Sequence, residues 1–343
     1  MVEPGTGKPI RTVIEVRVDP LTGHSSRILP ERGLMPANDF DLEAFARENQ
    51  AGCPFCPERI QELTPKLPSA IDSDGRISHG EAVLFPNLHA YSSHSCVSVY
   101  APRLHYLPLD QMTAGLLGDN LLTQVRYAKS VMAVDPDSRW ASINANHMLP
   151  SGSSLFHPHL QGIVDSEPTT FQRLLAELPA ERFESYLKVE RKAGERYLGD
   201  SGRVEWLVSF APIAPAELRA FIKGVSSPVE LEEDLVAEVA HGLALALGAY
   251  AEMGFESFNP GDLRRAAGQR RLFAEPPARL PLESKAVLSL GLDLLGTPSL
   301  GRCRRPGAGN HRRADRSALL SMVSPCLTPL SCLRCASDVG VAG

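Results

Sequence analysis

The segment "SGSSLFHPHLQG", residues 151–162, sets His157, His159 and Gln161 at alternate positions behind a Gly/Ser-rich loop. On an extended strand, alternate residues project from one face, so the three side chains would converge. Pro158 between the histidines removes a ladder donor, which suits an edge or locally distorted strand. An imidazole can act as nucleophile toward phosphorus. A side-chain amide and the N–H groups and hydroxyls of a small-residue loop can hold phosphate oxygens. Two histidines at this spacing also occur on ordinary solvent-facing strands, so the reading needs a second feature.

That feature is "AGCPFCPER", which supplies Cys53 and Cys56. A C-x-x-C pair is half of a tetrahedral zinc site and requires two further donors, for which His94, His105 and His157 are the candidates. Four protein ligands leave no open coordination position, so such a zinc is structural. It would anchor the strand bearing His159. A redox pair would need the strand–helix setting of a thioredoxin, and the flanking sequence does not offer one. Seven cysteines is an odd number, and the start of the chain lacks a signal-peptide core, which argues against a disulfide framework. The second pair, Cys332 and Cys335, has no partner ligands at zinc-finger spacing.

The elements that must carry these residues follow from hydropathy patterning. "IRTVIEVRV" alternates as a strand, "FDLEAFARENQ" is helical, and "EAVLFPNLHAY" and "HSCVSVYAP" are two strands. The stretch from Leu109 to Val134 is an amphipathic helix burying Leu116, Leu117, Leu121, Leu122, Val125 and Val131. "RWASINANHM" and "LFHPHLQGIVDS" are strands on either side of the loop. A similar order then recurs: helical "FQRLLAELPAERFESYLKVERKAG", two strands in "RVEWLVSFAPIAPAELRAFIKG", and an amphipathic helix in "VELEEDLVAEVAHGLALALGAYAEMG". The pattern predicts an α+β protein with antiparallel sheets packed on helices, in two related halves. Residues 1–165 form the first half and 166–259 a partial second half. Residues 260–343 are an atypical Arg-rich tail, read as disordered or non-native, because the apolar patterning stops in mid-unit. A net charge of −5 and no basic stripe before that tail argue against a nucleic-acid partner. No long apolar run calls for a membrane, and a cytoplasmic location is expected.

Taken together, "VDPLTGHSSRILPER", "CPFCPE", "LFPNLHAY", "YAPRLH" and "NANHMLPSGSSLFHPHLQ" resemble, in order and spacing, the galactose-1-phosphate uridylyltransferases and their relatives in the histidine-triad superfamily. The resemblance spans about residues 10–258. It implies two related α+β halves, the second incomplete here, and a nucleotidyltransferase linked to galactose metabolism. By position, His159 is the nucleophile that takes a nucleotidyl group from a nucleoside diphosphate sugar and passes it to a sugar 1-phosphate. Gln161 and Ser154 match phosphate-holding positions, with the backbone near Gly152 and Ser153 assisting. Asn87 matches a nucleoside contact and Asn146 the asparagine upstream of the loop. Cys53, Cys56 and His157 match zinc ligands, with His105 the expected fourth and His94 the alternative. Leu88 stands where uridylyltransferases often place a ribose-binding Asp, and nothing after Asn259 matches the sugar-gripping residues, often shared across a homodimer. Two other readings keep the same residues: a phosphorylase acting on an ADP-sugar or dinucleoside polyphosphate, and a non-catalytic zinc-bound nucleotide-binding module.

Overall fold

Two five-stranded antiparallel sheets account for most of the strand residues, and their strand orders match. The computed structural model describes residues 13–29, 41–148, 153–214, 216–264 and 285–291, together with residues 2, 4–9 and 11. After an N-terminal hairpin of β1 (Glu15–Val18) and β2 (Ser25–Ile28) come the helices α1 (Leu42–Gln50) and α2 (Ile60–Leu63). The first sheet is built from β3 (Ile77–His79), β4 (Ala82–Pro86) and β5 (His94–Val99), then, after helix α3 (Ala114–Val134), β6 (Trp140–Ala145) and β7 (His159–Asp165). Helices α4 (Thr170–Ala176) and α5 (Ala180–Ala193) lead into the second sheet. It comprises β8 (Tyr197–Ser201), β9 (Val204–Val208) and β10 (Leu218–Lys223), then helix α6 (Glu233–Glu252), β11 (Asn259–Arg264) and β12 (Lys285–Gly291).

The orders are β3-β4-β5-β7-β6 and β8-β9-β10-β12-β11: three strands, a long helix, then two strands of which the later inserts beside the third. The repeat expected from patterning is therefore present in topology. The second sheet runs past residue 259, because "KAVLSLG" pairs along the whole of β10. The remainder of the stretch from 260 onward, residues 265–284 and 292–343, lies outside the described residues. The sheets meet at β6 and β11, through an antiparallel bridge between His147 and Phe258 with a 3.0 Å N–H to carbonyl bond.

One core lies between the sheets and the two long helices. Leu117, Leu121 and Val125 of α3 pack with Leu235, Val239, Leu243 and Leu247 of α6, Ile143 and Leu160 of the first sheet, and Trp206, Leu218 and Ile222 of the second. Helix α6 is long and apolar enough to cross a membrane, yet most of it is buried in this core, which explains its hydropathy. Helix α3 also hides polar groups that apolar patterning does not reveal. Asn120 Nδ2 donates to Ser98 O at 3.2 Å, and Gln124 Nε2 donates to Ser98 Oγ at 2.6 Å. Cys96 Sγ donates to Gln124 Oε1 at 3.3 Å. This satisfied network seats the helix on β5, and β7 keeps a glycine beneath it. A Cβ on Gly162 would fall 2.0 Å from Gln124 Oε1 and 2.7 Å from Cys96 Sγ. The stretch read as one helix before the second sheet breaks at Pro179, which lacks the N–H needed to continue and starts α5 instead.

The opposite faces of the two sheets differ. In the second, Phe183 and Leu187 of α5 close over Leu207 and Phe221, joined by Leu21 from the N-terminal segment. The motif "VDPLTGH" makes this closure. His24 Nε2 lies 2.7 Å from Ala211 O, and Ser26 Oγ donates to Pro212 O at 2.6 Å. Asp19 Oδ1 accepts from the Leu21 and Thr22 amides at 2.9 and 2.8 Å, while Oδ2 pairs with buried Arg219, itself bound to Glu217 at 3.1 Å. Burial alone would raise the Asp19 pKa, but Arg219 and the two amides outweigh it and hold the carboxyl below its ordinary 3.8. A depressed folded-state pKa means that the pair's contribution is complete above about pH 4 and disappears as pH falls through the lowered value. Asp19→Asn keeps a turn acceptor and removes the charge. It is expected to cost about 3 kcal/mol at pH 7, with the gap to wild type closing in acid urea melts. A gap unchanged at pH 2 would refute the linkage.

Candidate active site and metal centre

In the first sheet the face opposite α3 carries chemistry instead of a helix. Strand β7 begins at His159, so His157 lies just ahead of the regular ladder, correcting the expectation of three side chains on one strand face. The H-P-H spacing has a local explanation. His159 Nδ1 lies 2.8 Å from the carbonyl oxygen of His157. A carbonyl can only accept, so Nδ1 carries the proton and Nε2 presents a lone pair. His159 is buried, and burial holds its imidazolium below the ordinary range against the opposing effect of the His157 carbonyl. Both rings rest edge-on against Phe55, the apolar residue inside C-P-F-C, with centroids 5.9 and 5.6 Å away.

His157 turns its other side to the cysteines. Its Nδ1 is 3.6 Å from Cys53 Sγ and 3.8 Å from Cys56 Sγ, and His105 Nδ1 is 3.5 Å from Cys56 Sγ. All four donor atoms lie within 4.8 Å of one another and all four residues are buried, a cluster able to hold a metal ion. Its supports are those of a ligand set. His157 Nε2 faces Ala101 O at 3.2 Å, which fixes the tautomer that leaves Nδ1 unprotonated. The Phe55 amide donates to Cys53 Sγ at 3.4 Å. Burial keeps both imidazoles neutral, His157 down to about 3, and burial beside Cys53 pushes the Cys56 thiol up to about 12. Without a cation this cage disfavours the thiolate; a cation would reverse that. His94 is not part of it. It starts β5, five residues from Val99, which pairs with His159, hence roughly 16 Å along the strand, and its Nε2 binds Asp135 at 2.8 Å.

The remaining candidates divide. Gln161 sits on β7 two places past His159, between Val97 and Asn144 on the flanking strands. Asn146 lies one place beyond the last β6–β7 pair, level with His159, and is half-buried. Asn87 opens the loop between β4 and β5, where its Oδ1 accepts from the His89 amide at 3.0 Å. Ser153 is buried and commits its hydroxyl proton to Leu155 O at 2.5 Å, leaving its backbone for any phosphate role; Ser154 is exposed. Gly152 lies outside the described residues. Sequence reasoning missed Phe55, Asn144, His147 and Tyr91. Asn144 was recoverable by stepping two places back from Asn146 on one strand. His147, buried at the sheet junction and stacked on Phe258, has its pKa pushed down to about 3, by burial first and then by the nearness of His159, a proximity no spacing rule announces.

No family profile matches the sequence. An ADP-glucose phosphorylase from Arabidopsis thaliana, solved with ADP-glucose bound, aligns at a TM-score of 0.58 and 17% identity over 84% of this chain and 92% of its own. A uridylyltransferase mutant aligns at 0.52 and 15% identity over 91% and 98%. The chain thus shares its fold with this ADP-glucose phosphorylase and this uridylyltransferase. In sequence, an uncharacterized protein of Archaeoglobus fulgidus is 32% identical over 266 residues, 74% of this chain and 76% of that one, and the chain belongs to its family.

Proposed function

We propose that the protein transfers a nucleoside monophosphate between a nucleoside diphosphate sugar such as UDP-glucose and a hexose 1-phosphate, through a covalent nucleotidyl-His159. The observation that carries this is the 2.8 Å bond from His159 Nδ1 to the His157 carbonyl, which leaves a buried Nε2 lone pair on the face shared with Gln161. Nε2 attacks the α-phosphorus. The N–P bond forms as the bond to the bridging oxygen breaks, and the electron pair leaves with the sugar 1-phosphate. The proton stays on Nδ1, donated to the His157 carbonyl oxygen, which thereby stabilises the positive charge that develops on the ring. Gln161, Ser154 and the Ser153 amide serve the phosphate oxygens, Asn87 the nucleoside. In the second step a phosphate oxygen of the acceptor attacks phosphorus and the N–P bond breaks, returning the free ring.

We propose zinc in the Cys53, Cys56, His105 and His157 cluster. Tetrahedral zinc with bonds of about 2.3 Å to sulfur and about 2.0 Å to nitrogen separates S and N ligands by about 3.5 Å, close to the 3.5–3.8 Å between these atoms here. Closed by four protein ligands, it would hold the fold and take no part in the reaction.

A second reading, phosphorolysis of ADP-glucose by inorganic phosphate, is favoured by Leu88. Its side chain is 71% exposed beside Asn87, where a ribose-binding carboxylate would suit uridine. The likeness to an ADP-glucose phosphorylase also supports it. Intact-mass measurement after incubation with UDP-glucose, ADP-glucose or diadenosine tetraphosphate separates these: a UMP adduct supports the first, an AMP adduct the second. No adduct from any donor would reject covalent transfer.

A further inference from the structure

We propose that Tyr91 is a positioning residue that sets the orientation of the Gln161 amide; this rests on the nucleotidyl-transfer reading above. The Tyr91 hydroxyl donates to Gln161 Oε1 at 3.2 Å. An amide toward a phosphate group has one favourable orientation. Its two N–H donors attract the anionic oxygens, whereas its carbonyl oxygen repels them. A donor fixed on Oε1 selects the useful rotamer and leaves the nitrogen free for phosphate. The neighbours of Gln161 on the sheet do not make that selection by themselves: Val97 on β5 is apolar, and Asn144 on β6 is itself an amide, able to meet either end.

The loop presenting Tyr91 is fixed at both ends. At its start, the Asn87 amide donates to Ser95 O at 3.0 Å. At its end, Ser92 Oγ donates to His94 O at 2.9 Å and Ser93 Oγ to Asp165 Oδ1 at 3.4 Å. The span between β4 and β5 is thereby pinned above β7, with Tyr91 over Gln161. Tyr91 is also 59% exposed, so its hydroxyl can be removed without opening the core. Asn87 opens the same loop. A single segment therefore links the proposed nucleoside contact to the orientation of the phosphate-holding amide.

The test is a single-turnover measurement of adduct formation by intact mass, using the full chain with UDP-glucose and with ADP-glucose. Tyr91→Phe keeps the ring and deletes the hydroxyl. It is expected to slow adduct formation about five- to tenfold at saturating donor, with less than a twofold change in the half-saturating concentration and an unchanged melting temperature. In a Gln161→Ala background the same change is expected to do nothing further, because the bond it removes is already gone. Equal rates for Tyr91→Phe and wild type would overturn the proposal. So would a slowing of the same size in both backgrounds, which would mean that the hydroxyl acts elsewhere. Absence of an adduct on the wild-type chain with both donors would overturn the parent reading, and this one with it.

Discussion

Replacing His159 with alanine is expected to give a folded, metal-loaded protein that forms no nucleotidyl adduct and turns over at least about 10⁴-fold more slowly. The size follows from the role. A covalent route divides one difficult displacement into two easier ones, and the variant lacks the ring that this route uses. The buried His147 sits instead at the sheet junction, with its ring stacked on Phe258. The variant loses a buried ring, so a stability loss of about 1–3 kcal/mol is expected. Metal content and a denaturant melt, recorded beside the kinetics, distinguish chemical loss from collapse. Wild-type kinetics should be ping-pong, with exchange between donor and its product detectable in the absence of acceptor. An adduct of unchanged yield on His159→Ala would show the nucleophile to be elsewhere.

The double replacement of Cys53 and Cys56 by serine should have the second-largest effect. Wild-type protein is expected to carry about one zinc per chain, and the variant none. A serine hydroxyl stays protonated at neutral pH and is a poor zinc donor. Because metal binding at such a site is folding free energy, unfolding should become easier by about 4 kcal/mol or more. Activity should fall as well, for a reason separate from global stability. The carbonyl that holds His159 belongs to His157, so loosening the cage frees the acceptor that orients the nucleophile. Chelation of wild-type protein should reproduce both losses, and reloading with zinc should release protons, since the Cys56 thiol is held up near 12 until a cation arrives. Full metal content in the double variant would disprove the cage.

Much of this site was legible because its residues are close in sequence or carry distinctive spacing. C-P-F-C and H-P-H-x-Q each lie within one short segment, and the fold brings Cys53, Cys56 and His157 together, with His159 at the start of β7. The ligand set beyond the motif was not legible. Choosing His105 over His94 required knowing that β5 runs antiparallel to β7, which carries His94 to the far end of the pair and against Asp135. Strand order was partly legible. The recurrence of strand, strand and helix gave two halves, but β3 and β8 are too short or irregular to show alternation, and β12 sits in a segment whose composition concealed it. Polar contents of the interior were least legible. Asn120 and Gln124 fall outside the apolar stripe of α3, yet both are buried, with Ser98 and Cys96 on β5 as partners. The N-terminal motif was recognised by pattern alone. Its physical work, tying the hairpin to the second sheet through Asp19 and Arg219, depends on a contact between residues two hundred positions apart.

Among the described residues, β6 and β11 lie beside each other at the bridge between His147 and Phe258, and the strands at the far borders of the two sheets are β3 and β8. Exposed borders of a sheet invite other chains to add strands, the first step toward aggregates. Both are blunted here. β3 is three residues long, and β8 loses register between Tyr197 and Gly199, whose φ of +125° bends the strand where a stranger would need it straight. A sequence change that lengthened β3 or straightened β8 would therefore show itself as insolubility at high concentration while leaving the chemistry of the folded molecule untouched.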